Sequence, residues 1–188
     1  MSITSVKSGA TGISLALDNN FMEPIATTLV GSGGSSNITF NDIPQSYKHL
    51  QLRALTFRTA EGNSLKVTYN SDTGNNYARH TIYGNGSSVT ASGNATTSFV
   101  ELGWAGGAAT TGGSVCIMDI LDYANTNKYK TSRSLFGYDL NNTNGYIVFA
   151  SGLWQNTNAI SSITIIPDNP ANGNLNQYSR FSLYGIKG

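Results

Sequence analysis

Charge is scarce in this chain of 188 residues. Asp, Glu, Lys and Arg together make up 11% of it, and eleven Lys+Arg against ten Asp+Glu leave a formal net charge of +1. A typical domain carries roughly 25% charged residues. The near-neutral balance excludes the strongly basic face of a nucleic-acid binder and an acidic solvating tail. Cysteine is almost absent. The single Cys116 rules out an intramolecular disulfide, and its setting in Val115-Cys116-Ile117-Met118 reads as a small buried hydrophobe. One Cys with two distant histidines, His49 and His80, does not supply zinc-ligand spacing. No apolar run reaches the roughly 18 residues needed to span a bilayer. The opening Met1-Ser2-Ile3-Thr4-Ser5-Val6 lacks a basic stretch before an apolar core, so no secretory signal is read there. Sustained i, i+3, i+4 apolar spacing is missing as well, which removes long helices from the expectation.

Neutral polar residues replace the missing charge. The chain holds 21 Asn beside 21 Gly, with Ser and Thr equally dense. Asn and Ser make local side-chain hydrogen bonds and Gly tolerates positive φ, so all three favour turns. Thr is β-branched and fits a pleated strand. Ten Tyr, seven Phe and two Trp are too many large apolar side chains for a disordered polymer.

Residues 1–22 differ from the rest. Ile13, Leu15 and Leu17 alternate between Gly12 and Asp18-Asn19-Asn20. The segment reads as an extended arm that adds to a neighbouring subunit, or as the first strand of the domain. From residue 23 onward a period-2 pattern recurs: Ile25, Thr27, Leu29; Ile38, Phe40; Leu50, Leu52, Ala54; Leu65, Val67, Tyr69; Ala78, His80, Ile82. After Ala54 the phase slips to Leu55 and Phe57, which predicts a bulge. Ile43–Lys48 has room for one helical turn, and Gly84–Thr97 reads as a loop between the halves. Beyond it lie Phe99–Leu102, Val115–Leu121, Lys130–Phe136, Tyr146–Leu153, Ile160–Ile166 and Tyr178–Ile186. Val115–Leu121 and Tyr146–Leu153 are apolar on both faces, as in central strands of a sandwich or strands covered by a neighbouring subunit. About ten strands without helix predict an all-β fold, an antiparallel β-sandwich of jelly-roll type over residues 23–188, with an N-terminal arm over 1–22.

No reactive constellation stands out. Asp119 and Asp122 lie close in sequence, yet their odd spacing along a strand points them to opposite faces. Asp119 reads as a carboxylate paired with a cation such as Arg133, and Asp122 as a turn opener. His49 and His80 read as half-buried imidazoles. Neither a nucleophile elbow nor a phosphate-cradling loop occurs. Asn70-Ser71-Asp72-Thr73-Gly74-Asn75-Asn76 is rich in oxygen ligands but lacks the carboxylates of an EF-hand, leaving a capped turn and a calcium loop both open. Trp104 beside Gly106-Gly107, and Trp154 beside Gln155-Asn156, fall near strand ends. There they either stack on a sugar or plug the sandwich.

Several stretches resemble a known group as a set: Tyr47-Lys48-His49-Leu50-Gln51-Leu52-Arg53 after Ile43-Pro44; Tyr69-Asn70-Ser71-Asp72-Thr73-Gly74-Asn75-Asn76-Tyr77; Asp119-Ile120-Leu121-Asp122-Tyr123-Ala124-Asn125-Thr126; and the closing Tyr178–Lys187. Together they resemble small all-β virion proteins of tailed bacteriophages, especially aquatic ones. The resemblance implies a structural role without enzymatic activity, cofactor or metal. The expectation drawn from it is a capsid decoration (cement) protein on the head exterior, assembled in the bacterial host cytoplasm. Its expected partners are the major capsid protein and like copies in a homotrimer, with neither nucleic acid nor membrane involved. Ile13, Leu15, Leu17 and Phe21 would form the capsid-contacting arm. The alternative is a tail-fibre or receptor-binding module in which Trp104, Trp154 and Asn156 touch host-surface glycans. A polysaccharide-degrading enzyme using Asp119 or Glu101 ranks below both.

Overall fold

The computed structural model describes residues 21–58, 63–107, 112–140, 145–168 and 173–188. Twelve strands and no helix occur among them: β1 Met22–Leu29, β2 Ile38–Phe40, β3 His49–Thr56, β4 Asn63–Tyr69, β5 Tyr77–Gly84, β6 Val89–Thr97, β7 Val100–Ala105, β8 Ser114–Leu121, β9 Lys130–Asp139, β10 Gly145–Trp154, β11 Ile163–Pro167 and β12 Arg180–Ile186. All named strand pairs are antiparallel. They form an eight-stranded sheet, in the order β1-β12-β3-β8-β9-β10-β5-β6, and a four-stranded sheet, β2-β11-β4-β7. The molecule is an all-β sandwich. Ile13, Leu15 and Leu17 lie outside the described residues. Of the expected arm, Phe21 and Met22 are seen: Met22 pairs with Ile186, and the Lys187 N–H donates to the Phe21 carbonyl at 3.0 Å.

Alternation builds the core. On the large sheet Leu50, Leu52 and Ala54 of β3, Cys116, Met118 and Ile120 of β8, Phe136 of β9, and Val148 and Ala150 of β10 all point inward. They meet Leu65, Val67 and Tyr69 of β4, Val100 and Leu102 of β7, and Ile163 and Ile165 of β11. Each fully buried aliphatic side chain contributes roughly 1.5–3 kcal/mol over its exposed state. Two glycines allow the layers to approach. A Cβ on Gly103 would stand 2.6 Å from Cys116 Sγ, and one on Gly152 would stand 2.5 Å from Val100 Cγ1.

Four expectations from the sequence are corrected. β3 contains no bulge: its register with β8 and β12 is unbroken, and Leu55 simply faces outward. Ile43–Lys48 forms no helical turn. Residues 89–97 are not loop but the edge strand β6; beyond Val89 they carry no large apolar side chain, and eight of the nine are exposed. In β5 the inward phase is Tyr77 and Thr81, whereas His80 and Ile82 face solvent.

Candidate contact surface

Several charged groups are committed to structure. Glu101 of β7 is nearly inaccessible. Its Oε1 accepts the Ser64 hydroxyl at 2.7 Å and the Trp104 indole N–H at 2.6 Å, and its Oε2 accepts Arg79 Nη1 at 2.5 Å. Asp119 accepts Gln51 Nε2 at 2.8 Å and Arg133 Nε at 3.2 Å, the pairing read from sequence. Asp122 opens a turn with a left-handed φ of 48° and pairs with Lys48 and Lys128, which hold its carboxyl below the ordinary value. Its backbone N–H donates to His49 Nδ1 at 3.0 Å. Cys116 is buried, and burial pushes its thiol up to about 12. Lys130 is also buried; its Nζ donates to the carbonyls of Lys128 and Thr157, both at 2.9 Å.

The Asn70–Asn76 segment is a capped turn. Asp72 takes N–H donors from Gly74, Asn76 and the Trp154 indole, while Asn70 Oδ1 accepts from the backbone of Ser161 and Ser162. Burial opposes ionisation of Asp72, but the three donors outweigh it and its carboxyl lies below the ordinary value. A carboxylate facing N–H groups is a turn cap rather than a cation ligand. Among the described residues no group of three or more His, Cys, Asp or Glu is placed to hold a metal ion.

The expected sugar contacts do not converge. Trp154 is 1% exposed, wedged among Tyr69 and Tyr77, which corrects the expectation that it faces a ligand. Trp104 packs against Tyr83, Phe136 and Tyr146 with its N–H on Glu101. Tyr146 and Trp154 lie eight residues apart on β10, so the two indoles are separated by roughly 25 Å at a strand's rise per residue. Asn156 Oδ1 accepts the Asn158 N–H at 2.9 Å and shapes a turn. Both tryptophans plug the sandwich.

The unusual feature lies on the outer face of the large sheet, and the registers make it contiguous. One cross-strand row runs Ile117, Leu135, Phe149, Ile82, Ala91 across β8, β9, β10, β5 and β6. The next runs Leu55, Val115, Gly137, Ile147, Gly84, Val89. The eight large apolar side chains in these rows are 37% to 73% exposed. Gly137 leaves a shallow depression of about 280 Å³ walled by Val115, Ile117, Leu135 and Ile147. The third row is polar: Gln51, Asp119, Arg133, Ser151, His80. Arg53, its guanidinium 5.4 Å from the centre of the Tyr184 ring, and Arg180 border the patch on the β12 side. Eight half-exposed aliphatic and aromatic side chains in two adjoining rows form a contiguous apolar surface, the kind that marks a contact site. The sequence signalled this face through Val115–Leu121 and Tyr146–Leu153, apolar on both sides. Ile82 and Leu55, assigned inward from the sequence, belong to it too. The signal for them is registry with neighbours that no single strand reveals.

Set against family models, curated proteins and solved structures, the chain matches none of them.

Proposed function

We propose that this chain is a non-enzymatic structural protein of a tailed-phage particle, a decoration or cement protein lying on the head exterior. The carrying observation is the apolar outer face of the eight-stranded sheet, two adjacent rows wide and five strands across. A flat surface of that size suits contact with another protein rather than capture of a small molecule, for which sites are concave. The shell of the particle is the occupant this reading assigns to it. A net charge of +1 lets many copies sit side by side without accumulating repulsion. The side chains that would do acid–base or nucleophilic work are instead held in ion pairs and caps, as Glu101, Asp119 and Asp72 illustrate. The segment 1–22 would add a second grip on the shell protein through Ile13, Leu15, Leu17 and Phe21.

Quantitative mass spectrometry of purified particles tests the reading. A copy number comparable to that of the shell protein is expected. A few copies per particle would move the protein to the tail, and its absence from particles would overturn the proposal. Chain lacking residues 2–20 should stay folded, since the buried core residues described begin at Val30, but should bind heads more weakly.

A further inference from the structure

The two edges of the large sheet are built differently. β1 carries Glu23, paired with Lys187 at 2.7 Å, then Pro24, and its register with β12 shifts between Pro24 and Ala26. Charge, proline and an irregular register are the devices that keep an edge strand from pairing with another chain. β6 lacks the first two, and its one register shift, between Asn94 and Thr97 opposite Tyr77–Arg79, leaves Val89–Asn94 regular. Val89–Thr97 contains no charged residue and no proline, only Val, Thr, Ala, Ser, Gly and Asn. Eight of its nine residues are exposed, and among the described residues no strand neighbours its outer edge, which presents backbone N–H and C=O groups. Within the molecule it is held by the β5 ladder, to which one Thr81–Ser92 hydroxyl contact of 2.9 Å adds.

We infer that β6 is a pairing edge and that its occupant is β6 of a second copy of this chain, antiparallel across a two-fold axis normal to the sheet. An uncharged strand meets its own copy without repulsion, and a two-fold contact is closed, so it ends at a dimer. The guarded β1 edge disfavours the head-to-tail alternative of β6 on β1. The same axis keeps both outer faces on one side. With the axis beside Ala91, that residue meets its own counterpart and Val89 lies opposite Gly93 of the second copy, so the ends of the apolar rows come together. This inference rests on the edge alone and stands whether or not the protein belongs to a phage particle.

Light scattering coupled to size exclusion, on the full chain over a dilution series, measures the outcome. The expected mass is twice the 19.9 kDa of one chain. Ala91→Lys and Ala91→Asp should each weaken association at least about tenfold through like charges across the axis. An equimolar mixture of the two should reassociate. Hydrogen exchange on the unmodified chain is independent of whether those variants fold: amides of residues 89–97 should gain protection with concentration, and those of β1 should not. A monomer throughout the series, a trimer, a dimer indifferent to both charges, or protection gained at β1 instead would each overturn the inference.

Discussion

The Trp154 indole N–H donates to Asp72 Oδ2 at 2.8 Å, tying the last residue of β10 in the large sheet to the turn that leaves β4 in the small one. The bond crosses from one layer to the other while the indole itself fills the core beside Tyr69 and Tyr77. Trp154→Ala should therefore cost about 3–5 kcal/mol, the usual range for an aromatic cavity. Trp154→Phe keeps most of the packing and should lose about 1.5–3 kcal/mol, the value of a hydrogen bond to a charged group. Urea unfolding checks both. A fully stable Trp154→Ala would show that the indole is not a core residue.

Stability should fall in acid. Asp72, Asp122 and Glu23 are all held below their ordinary values: Asp72 by Trp154, Asn76 and Gly74 against the opposing effect of burial, Asp122 by Lys128 and Lys48, and Glu23 by Lys187 and Tyr47. Each binds its proton less readily folded than unfolded. Their contribution is complete above the unfolded values, 3.8 for Asp and 4.5 for Glu, and is lost as the pH drops through the lower folded ones. Melting temperature against pH should be level near neutrality and decline below about pH 4. Asp72→Asn should be less stable at neutral pH and show a shallower decline. An identical profile in that variant would exclude Asp72 as a contributor.

The outer face should be adhesive but not essential to folding. Phe149 and Ile147 are exposed by 48% and 64%, so Phe149→Ser and Ile147→Asp should change stability by less than about 1 kcal/mol. The native protein should bind an apolar fluorescent dye such as ANS, and the double variant should bind much less. Unaltered dye binding would place the apolar surface elsewhere.

Gly152 faces Val100 too closely to accept a methyl group. Gly152→Ala should cost about 1–3 kcal/mol by overpacking. Combining it with Val100→Ala should cost less than the two single changes added together, because the cavity of one receives the methyl of the other. Strict additivity in urea melts would contradict the contact.

Much of this architecture is readable from the residues because a half-buried strand writes its burial into alternate positions. β3, β4 and β11 show that alternation directly. It fails where both faces have the same character. β6 is bare on both sides, so it carries no apolar signal and resembles a loop. β5 has apolar side chains in both phases, and Ile82 outweighs Thr81 in hydrophobicity although Thr81 is the buried one. The Asp119–Arg133 pair was legible because β8 and β9 follow one another in the chain and pair as antiparallel neighbours. The partners of Glu101 were not, since Ser64 and Arg79 reach it from strands distant in the chain.

Glu101 also bears on how the two layers hold together. Its carboxylate is gripped by Ser64 from the small sheet, by Arg79 from the large one and by Trp104 from its own strand. Peeling one layer from the other would part this carboxylate from Arg79, so an ionic tie adds to the apolar contacts between the layers. A sandwich fastened that way resists separation of its sheets more than apolar packing alone would.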